Sequence, residues 1–303
     1  MFSTAHLYRF ATATPWTLED LRASLARGRF LPCLPSQHQS RGWVSPRGNA
    51  HDGLAEKIEG HIVLHMMVET KAVPAEAVQR RATELLTKMQ AESGRKPGKS
   101  QIREMKEQVF LELLPQAFAR RQVIPIWLDL DAGVAAVGAS ATTAADEAVT
   151  CLVAGFPGLT ARPFQTNTSP EAGMSEWLVT QEPPAGFSVD RECELRSDAE
   201  SGAAIRYSRH ALDIDEVKDH VLAGKKPTQV AMTWRARVSF VLMGNGRLAK
   251  IKVITDFAVK SPATEDAFDA DWLLFAGELR PLVQGLEEAL GGELITLAES
   301  PGV

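Results

Sequence analysis

The chain has 303 residues, of which 45% are hydrophobic, and a formal net charge of −5 at pH 7. This size is typical of a globular protein with one large core or two to three smaller ones. The sequence lacks the run of about 18 apolar residues that a membrane span needs, and His6 and Arg9 interrupt its N-terminal stretch. We therefore exclude a membrane protein and a signal peptide, and expect a cytoplasmic protein.

The three cysteines, Cys33, Cys151 and Cys193, lie far apart in the sequence. Their spacing fits neither a disulfide framework nor the paired CxxC motifs of a zinc site. We expect all three to be reduced, buried small side chains.

The first part of the chain predicts an α+β domain. A short strand is expected over His6–Phe10, followed by a helix that Thr17 caps and that ends at Arg27. Gly42–Gly48, which reads GWVSPRG, predicts a rigid turn, and the apolar, β-branched run His61–Val68 predicts a strand.

Two helices joined by a basic loop are predicted next. Pro74 opens the first helix, and Gly94, Pro97 and Gly98 interrupt the pattern. Ser100 is expected to cap a second helix, which ends near Pro115. Together they form a hairpin that projects from the body of the protein.

Extended segments then resume, and the rest of the chain alternates between strands and helices. Residues Thr160–Gly202 are rich in Pro, Gly, Ser and Glu, so we expect a linker and irregular loops there. The other predicted elements are strands over Val123–Leu130 and Val134–Ala139, a helix over Thr143–Val153, a helix over Asp213–Leu222, a hairpin of Thr228–Leu242 with Leu248–Thr255, and a closing helix over Asp271–Leu290.

The charge is segregated along the sequence. Arg80–Arg121 holds ten Lys or Arg against five acids, and Ala203–Lys252 holds ten against four, while the remainder has 13 basic and 29 acidic residues. Segregation of this kind concentrates positive potential on chosen surfaces, as a confined path for DNA requires. A merely solvated basic face is the plainer alternative.

The predicted strand Thr228–Leu242 suggests where such a surface lies. Its period of two places an apolar set on one face, while Arg235, Arg237 and Ser239 point the other way. A surface of arginines without obvious Asn or Gln base readers predicts phosphate contacts that carry no base information. An ordinary wet face of an antiparallel sheet would carry similar charges.

The register of the following strand is predicted from its turn. Asn245 and Gly246 suit a two-residue type I′ turn, which would place Lys250 opposite Val241 and Lys252 opposite Ser239. Under this register both lysines share the arginines' face. A three-residue turn would flip the pairing.

Further basic residues can extend this surface or form a second contact. Lys225 and Lys226 precede the strand directly. The tip of the helical hairpin carries four more candidates: Arg95, Lys96, Lys99 and Arg103. Each group can equally be a polar loop.

Motifs of the common enzyme classes do not occur. AGKKPT has Asp219 where a phosphate-binding loop needs its first glycine, and there is no GxSxG or HExxH sequence. His61 and His65 fall on a predicted strand, where histidines are seldom metal ligands. We therefore expect no catalytic site, metal or cofactor.

One acidic cluster supports an alternative. Glu265, Asp266, Asp269 and Asp271 could hold magnesium in a nuclease. Acids at a helix start are more often explained by the helix dipole. A protein-binding scaffold whose basic faces contact an acidic partner is a third alternative.

Four segments of the sequence resemble the bacterial recombination-associated protein RdgC family. They are GWVSPRG from Gly42, EMKEQVFLELLPQAFARR from Glu104, DEVKDHVLAGKKPTQVAMTW from Asp215, and FDADWLLFAGELRPLVQGLEEALGGE from Phe268. The resemblance, which covers essentially the whole chain, implies a homodimer closed into a ring whose basic hole surrounds duplex DNA. It also implies binding without sequence preference that limits the strand-exchange recombinase, on the nucleoid and without a cofactor.

The resemblance further implies three parts: a central α+β domain over residues 1–73 and 119–165, a helical tip over 74–118 and a base domain over 166–303. Tip-to-tip and base-to-base contacts would close the ring, with Phe118 at a subunit contact. Lys225, Arg237 and Lys252 match basic positions of the family, whereas Gln229 and Ala249 are uncharged where basic residues are expected.

The sequence thus predicts an α+β fold with mixed or antiparallel sheets, packed helices, a projecting helical hairpin and a ring-forming homodimer. Duplex DNA is the expected partner, and binding of single strands is left open. The predicted phosphate contacts are Lys225, Lys226, Arg235, Arg237, Lys250 and Lys252, together with Arg95, Lys96, Lys99 and Arg103 at the tip.

Overall fold

The computed structural model describes residues 1–13, 16–48, 50–197, 202–254 and 265–294, with the side chains of 265 and 266 outside that description. Within these residues the chain forms two antiparallel sheets and a set of packed helices. The predicted α+β class with antiparallel sheets is therefore confirmed.

The first sheet has seven strands in the described chain, in the order β2-β4-β5-β6-β1-β7, with β3 beside β4. The long strands β4 and β5 pair over their whole length. In the first half of β4 and the second half of β5, side chains on both faces of the sheet are buried. The strands are β1 His6–Thr12, β2 Gln39–Val44, β3 Ala55–Ile58, β4 His61–Ala72, β5 Phe118–Asp129, β6 Val134–Val137 and β7 Leu159–Pro163.

Two helices cover one face of this sheet. These are α1 Leu18–Arg27 and α4 Thr142–Gly155, which pack on a core containing Ile62, Ile126 and Leu128. The predicted cap is confirmed, because the Thr17 side chain accepts from the amide of Asp20 and the Asp20 carboxylate accepts from the amide of Thr17.

The helical tip consists of α2 Ala75–Ser93 and α3 Lys99–Leu113, and the predicted helical hairpin is confirmed. Gly98, rather than Ser100, is the N-cap of α3. The Gln101 side-chain oxygen accepts a hydrogen bond from the Gly98 amide at 3.0 Å, so the helix starts before Ser100, the predicted cap.

The second sheet has five strands in the described chain, in the order β12-β11-β10-β8-β9. They are β8 Phe187–Ser197, β9 Ala204–Ser208, β10 Lys225–Trp234, β11 Val238–Met243 and β12 Leu248–Val253. The predicted end of the last strand, Thr255, lies outside the described residues. The N-terminal segment pairs with β12, since the Ala5 amide donates to the Leu248 carbonyl and the Ile251 amide donates to the Ser3 carbonyl, both at 2.8 Å.

Three helices, α5 Pro170–Thr180, α6 Asp215–Leu222 and α7 Glu265–Ala289, share one core with this sheet. That core also contains Val63 and Trp127 from the first sheet, and a row of α7 side chains that includes Phe275 and Leu279. Helix α7 thus joins the two sheets through one hydrophobic core. No helix in the described part of the chain has the length and apolar character needed to cross a bilayer.

The linker predicted over Thr160–Gly202 is wrong for the residues that are described. This region contains most of β7, all of α5 and all of β8. Ser169 caps α5 by accepting the Ala172 amide, and Pro170 occupies the first helical turn. Ser169 and Pro170, which were predicted to lie in a loop, therefore begin a helix.

Two other predicted boundaries also change. β5 begins at Phe118 rather than Val123. Its first residues are exposed, and Arg120, Arg121 and Gln122 break the apolar pattern from which the strand was predicted. Gly42–Val44 belongs to β2 and not to a turn. Gly42 is required there, since a Cβ would lie 2.5 Å from Phe30 Cα.

The three cysteines are free thiols, as predicted, but only Cys193 is buried. Burial raises the pKa of the Cys193 thiol to about 12. Cys33 and Cys151 are half-buried.

Candidate nucleic-acid interface

The segment predicted as one strand from Thr228 to Leu242 is a hairpin. Arg235 and Ala236 have left-handed φ angles of 45° and 56°, and the Arg237 amide donates to the Trp234 carbonyl at 2.8 Å. Trp234 pairs with Val238, so three residues join the two strands, and a loop of this length keeps the alternation of sides, so the sequence pattern continues across it. The prediction of a single strand is therefore wrong, although its apolar face is largely correct.

Members of that apolar face lie in the core as predicted. Val230, Met232 and Phe240 are at most 2% exposed, whereas Ala236 is exposed in the turn. Arg235 and Arg237 consequently lie at one end of the second sheet, not along a strand. The Arg235 guanidinium lies 4.7 Å from the centre of the Trp234 ring, and Arg237 forms an ion pair with Glu278 of α7.

The turn between β11 and β12 also differs from the prediction. The Met243 amide donates to the Arg247 carbonyl at 2.9 Å, which closes a three-residue loop with Gly246 at φ 81°. Val241 therefore pairs with Ala249, and the predicted pairing of Val241 with Lys250 is wrong.

A bulge then restores the predicted register. Lys250 has a φ of 51°, and beyond it Ser239 pairs with Lys252 as predicted. Ala249 consequently leaves the apolar face that was predicted for it. Ile251 remains in the core.

The side of the second sheet that faces away from its core, here called the outer face, carries charges on both margins. β12 contributes Lys250 and Lys252, and β8 and β9 contribute Arg196 and Arg206. Between these margins lie uncharged side chains: Ala231, Thr233, Ser239 and Val241. The outer face also carries Glu192 and Glu194, so it is less cationic than the sequence suggested.

Arg196 and Arg206 were missed because they lie in or next to the region interpreted as a linker. Both donate to the buried Glu194: Arg196 Nη2 at 3.1 Å and Arg206 Nε at 3.0 Å. The hydrogen bond from Arg206, supported by Arg196, holds the pKa of Glu194 below its ordinary value against the effect of burial. The alternation of polar and apolar residues in FSVDRECELRS could have predicted β8 and, with it, the outward position of Arg196.

Lys225 and Lys226 lie at the start of β10, about 30 Å of strand away from Arg235. Lys225 Nζ is 3.3 Å from His220 Nδ1, and Lys226 Nζ is 3.5 Å from Glu171 Oε1. The six basic residues predicted in the base therefore do not line one ribbon: Lys225 and Lys226 lie at one end of β10, whereas Arg235 and Arg237 lie at its other end, beside the part of β12 that carries Lys252.

The tip exposes its predicted cations directly. Arg95, Lys96 and Lys99 are exposed, and Arg103 forms an i,i+4 pair with Glu107 at 3.4 Å. Among the described residues, Lys96 and Lys99 have no acid within ion-pair distance.

An apolar groove of about 680 Å³ lies beside α2 and α3. Val73, Val78, Phe110 and Leu111 contribute its apolar lining. Phe118, at the start of β5, is 89% exposed. The tip therefore offers both a protruding aromatic ring and an apolar groove.

Asp269, one member of the predicted acidic cluster, takes part in a structural ion-pair group. Arg47 forms ion pairs with Asp269 and with Glu56, and its guanidinium lies 4.7 Å from the centre of the Phe268 ring. The side chains of Glu265 and Asp266 lie outside the described residues. Within the described chain, no three His, Cys, Asp or Glu side chains are grouped as metal ligands would be.

The two sheets and the inserted hairpin occur in a chain whose residues 1–293 match the RdgC family model, described as "Putative exonuclease, RdgC". Curated relatives carry the name recombination-associated protein RdgC. Those of Cupriavidus pinatubonensis and Cupriavidus necator are each 40% identical over 96% of this chain and 98% of their own length. The Dechloromonas aromatica protein is 38% identical over 97% of this chain and 98% of its length.

These matches define a recombination-associated protein. The chain belongs to the RdgC family, as the four sequence segments predicted.

Proposed function

We propose that this protein encircles duplex DNA as a ring-shaped homodimer and, on the nucleoid, restrains strand exchange by the recombinase. It acts by occlusion and not by chemistry. The observation that carries the proposal is the outer face, where a left-handed bulge keeps both Lys250 and Lys252 on the same exposed side of the sheet. The recombination-associated name of the relatives supports DNA as the ligand.

Phosphate contacts explain the arrangement better than base readout. The cations lie at both ends of the second sheet and at the tip, so they suit an extended phosphate backbone better than a few base pairs. Each phosphate that the protein neutralises should add roughly 0.9 to the slope of log affinity against log salt concentration. Several contacts per subunit therefore predict a steep salt dependence.

The principal test is replacement of Arg237 and Lys252 together by alanine. Affinity should fall similarly for unrelated duplexes, because both residues contact phosphate in this proposal. Lys252→Ala alone breaks no ion pair among the described residues. Weaker binding in this single variant therefore cannot be explained by unfolding that follows the loss of an ion pair. Loss of binding on one sequence alone would contradict phosphate recognition.

The homodimer is proposed to use Phe118 at the tip contact. Its exposure, with an apolar groove beside the tip helices, supports a contact in which the ring of one subunit enters the groove of the other. Phe118→Ser should shift sedimentation toward the monomer. Leu31→Ser, which changes another exposed apolar side chain, should leave the dimer intact.

A metal-dependent nuclease is the second candidate, because the family description names an exonuclease. The test is incubation of labelled DNA with the protein and magnesium. If DNA is cleaved by the wild type and by Glu147→Gln but not by Asp269→Ala, the protein is a nuclease, and the proposal that it acts by occlusion is wrong. Unchanged DNA would support the binding role.

A further inference from the structure

Lys250 has a position that a regular strand would not give it. The outer-face residue Ala249 pairs with Val241, so regular alternation would turn the next side chain toward the core. The left-handed conformation at Lys250 creates a bulge instead, and a residue with a Cβ adopts it only at a cost. The bulge keeps Lys250 on the outer face and returns Ile251 to the core.

The ammonium of Lys250 is already occupied. Its Nζ lies 2.6 Å from Glu192 Oε1, and Glu192 belongs to β8. Because β11 and β10 lie between the two strands, this ion pair spans the middle of the outer face. The outer-face residues of those intervening strands, Ala231 and Val241, are only 9% and 3% exposed.

Lys252, two residues away, differs in this respect. It is exposed, and it has no ion pair within the part of the chain that the structure describes. A phosphate oxygen and a carboxylate oxygen accept hydrogen bonds from an ammonium group in the same way. The Glu192 carboxylate therefore makes with Lys250 the kind of contact that a phosphate would make.

We propose that Glu192 is a resident counter-ion that competes with DNA phosphate for Lys250 and so limits the affinity of the outer face. The inference rests on the proposed function, because it assumes that phosphates approach this face. Lys250 is 64% exposed and Glu192 32%, so solvent screens the pair and DNA can displace it. The displaced carboxylate then repels the neighbouring phosphates, which weakens binding further.

The test compares wild type with Glu192→Gln, using fluorescence anisotropy of a labelled duplex at low salt. Glu192→Gln should bind about fivefold more tightly, the size expected for release of one exposed ion pair. In the double variant with Lys250→Gln this gain should disappear. Thermal melting of each variant establishes that it is folded.

Glu147→Gln is the matched control. Glu147 also forms an exposed ion pair, with Arg41 at 3.0 Å, and its loss changes the net charge equally. It lies on α4, away from the second sheet, so affinity should stay within about twofold of wild type.

Two results overturn the inference while the proposed function stands: a Glu192→Gln affinity equal to wild type, or a gain that survives removal of Lys250. An equal gain in Glu147→Gln also overturns it, since net charge alone would then explain the effect. If the wild-type protein and every variant fail to bind DNA at low salt, the proposed function fails together with the inference.

Discussion

The helical tip and helix α7 use helical structure in opposite ways. Along α2 and α3 the buried residues are Ala82 and Val109, and the remaining side chains are exposed or half-buried. Along α7 a row from Trp272 to Leu286 lies in the core that joins the two sheets. The tip helices thus leave most of their side chains accessible to solvent, whereas α7 stabilises the body by packing its apolar side chains in the shared core.

The same contrast applies to charge. The two basic segments, Arg80–Arg121 and Ala203–Lys252, carry a similar excess of Lys and Arg over acids. In the tip, Lys96 and Lys99 have no acid within ion-pair distance among the described residues. In the base, Arg237, Lys226 and Lys250 each have a carboxylate within ion-pair distance. An excess of basic residues in a sequence therefore does not show how many cations are free to bind a ligand.

The largest difference between the regions should appear when an arginine is removed. In the body, Arg280 of α7 donates through two nitrogens to Asp129, which is fully buried. Arg280→Ala leaves that carboxylate without its cation and should lower the free energy of unfolding by about 3 kcal/mol. Urea denaturation measures the change.

Arg103→Ala is the matched variant in the tip. Arg103 pairs with Glu107 on an exposed helical surface, where such pairs contribute about 0.5 kcal/mol or less. Equal losses in both variants would show that the tip is as tightly coupled to the body as α7 is.

The second prediction concerns acid stability of the body. Burial, with the nearby N-terminal ammonium, lowers the pKa of His65 from 6.5 to about 4. Between these values the unfolded chain takes up the proton and the folded chain does not, so stability falls as pH drops from about 6.5 to 4. The loss should reach about 2–3 kcal/mol.

His65→Gln should remove this component from the pH dependence of unfolding, measured by denaturation at several pH values. His210→Gln, at an exposed position, should keep it. A wild-type slope in His65→Gln would assign the acid sensitivity to other groups.

The smallest effect compares two glycines of α7. At Gly285 a Cβ would lie 2.5 Å from the Trp234 ring, whereas at Gly277 no atom lies within 4 Å. Gly285→Ala should destabilise the protein by about 1–3 kcal/mol through overpacking. Gly277→Ala should be neutral or stabilise it by up to about 1 kcal/mol. Melting curves that rank the two variants in reverse would contradict the packing of α7 on the second sheet.

Periodicity and turn residues predicted much of the fold. The cap at Thr17, the helical hairpin and the apolar face of Val230 and Met232 all follow from local sequence. The region from Thr160 to Gly202 did not, because Ser169 and Pro170 begin a helix as readily as they form a loop. The early start of β5 was hidden because its exposed polar residues pair with β4 beyond the core.

The site was harder to predict than the fold. The turn at Arg235 leaves the alternation intact, so no break in the pattern reveals it. The bulge at Lys250 depends on a three-residue loop that Asn245 and Gly246 fit as well as a two-residue turn. The acids opposite the cations come from distant strands and helices, and pairing over such separations cannot be obtained from local sequence. The domain boundaries and the roles of the basic residues stay predictions.

The pairing of Ser3 and Ala5 with β12 has a practical consequence for handling the protein. These residues occupy the outer hydrogen-bonding positions of β12 before the chain enters the first sheet. Trimming them would leave an open strand edge, which invites pairing between molecules and precipitation. Truncated versions should therefore retain the first residues, even though Met1 itself is largely exposed.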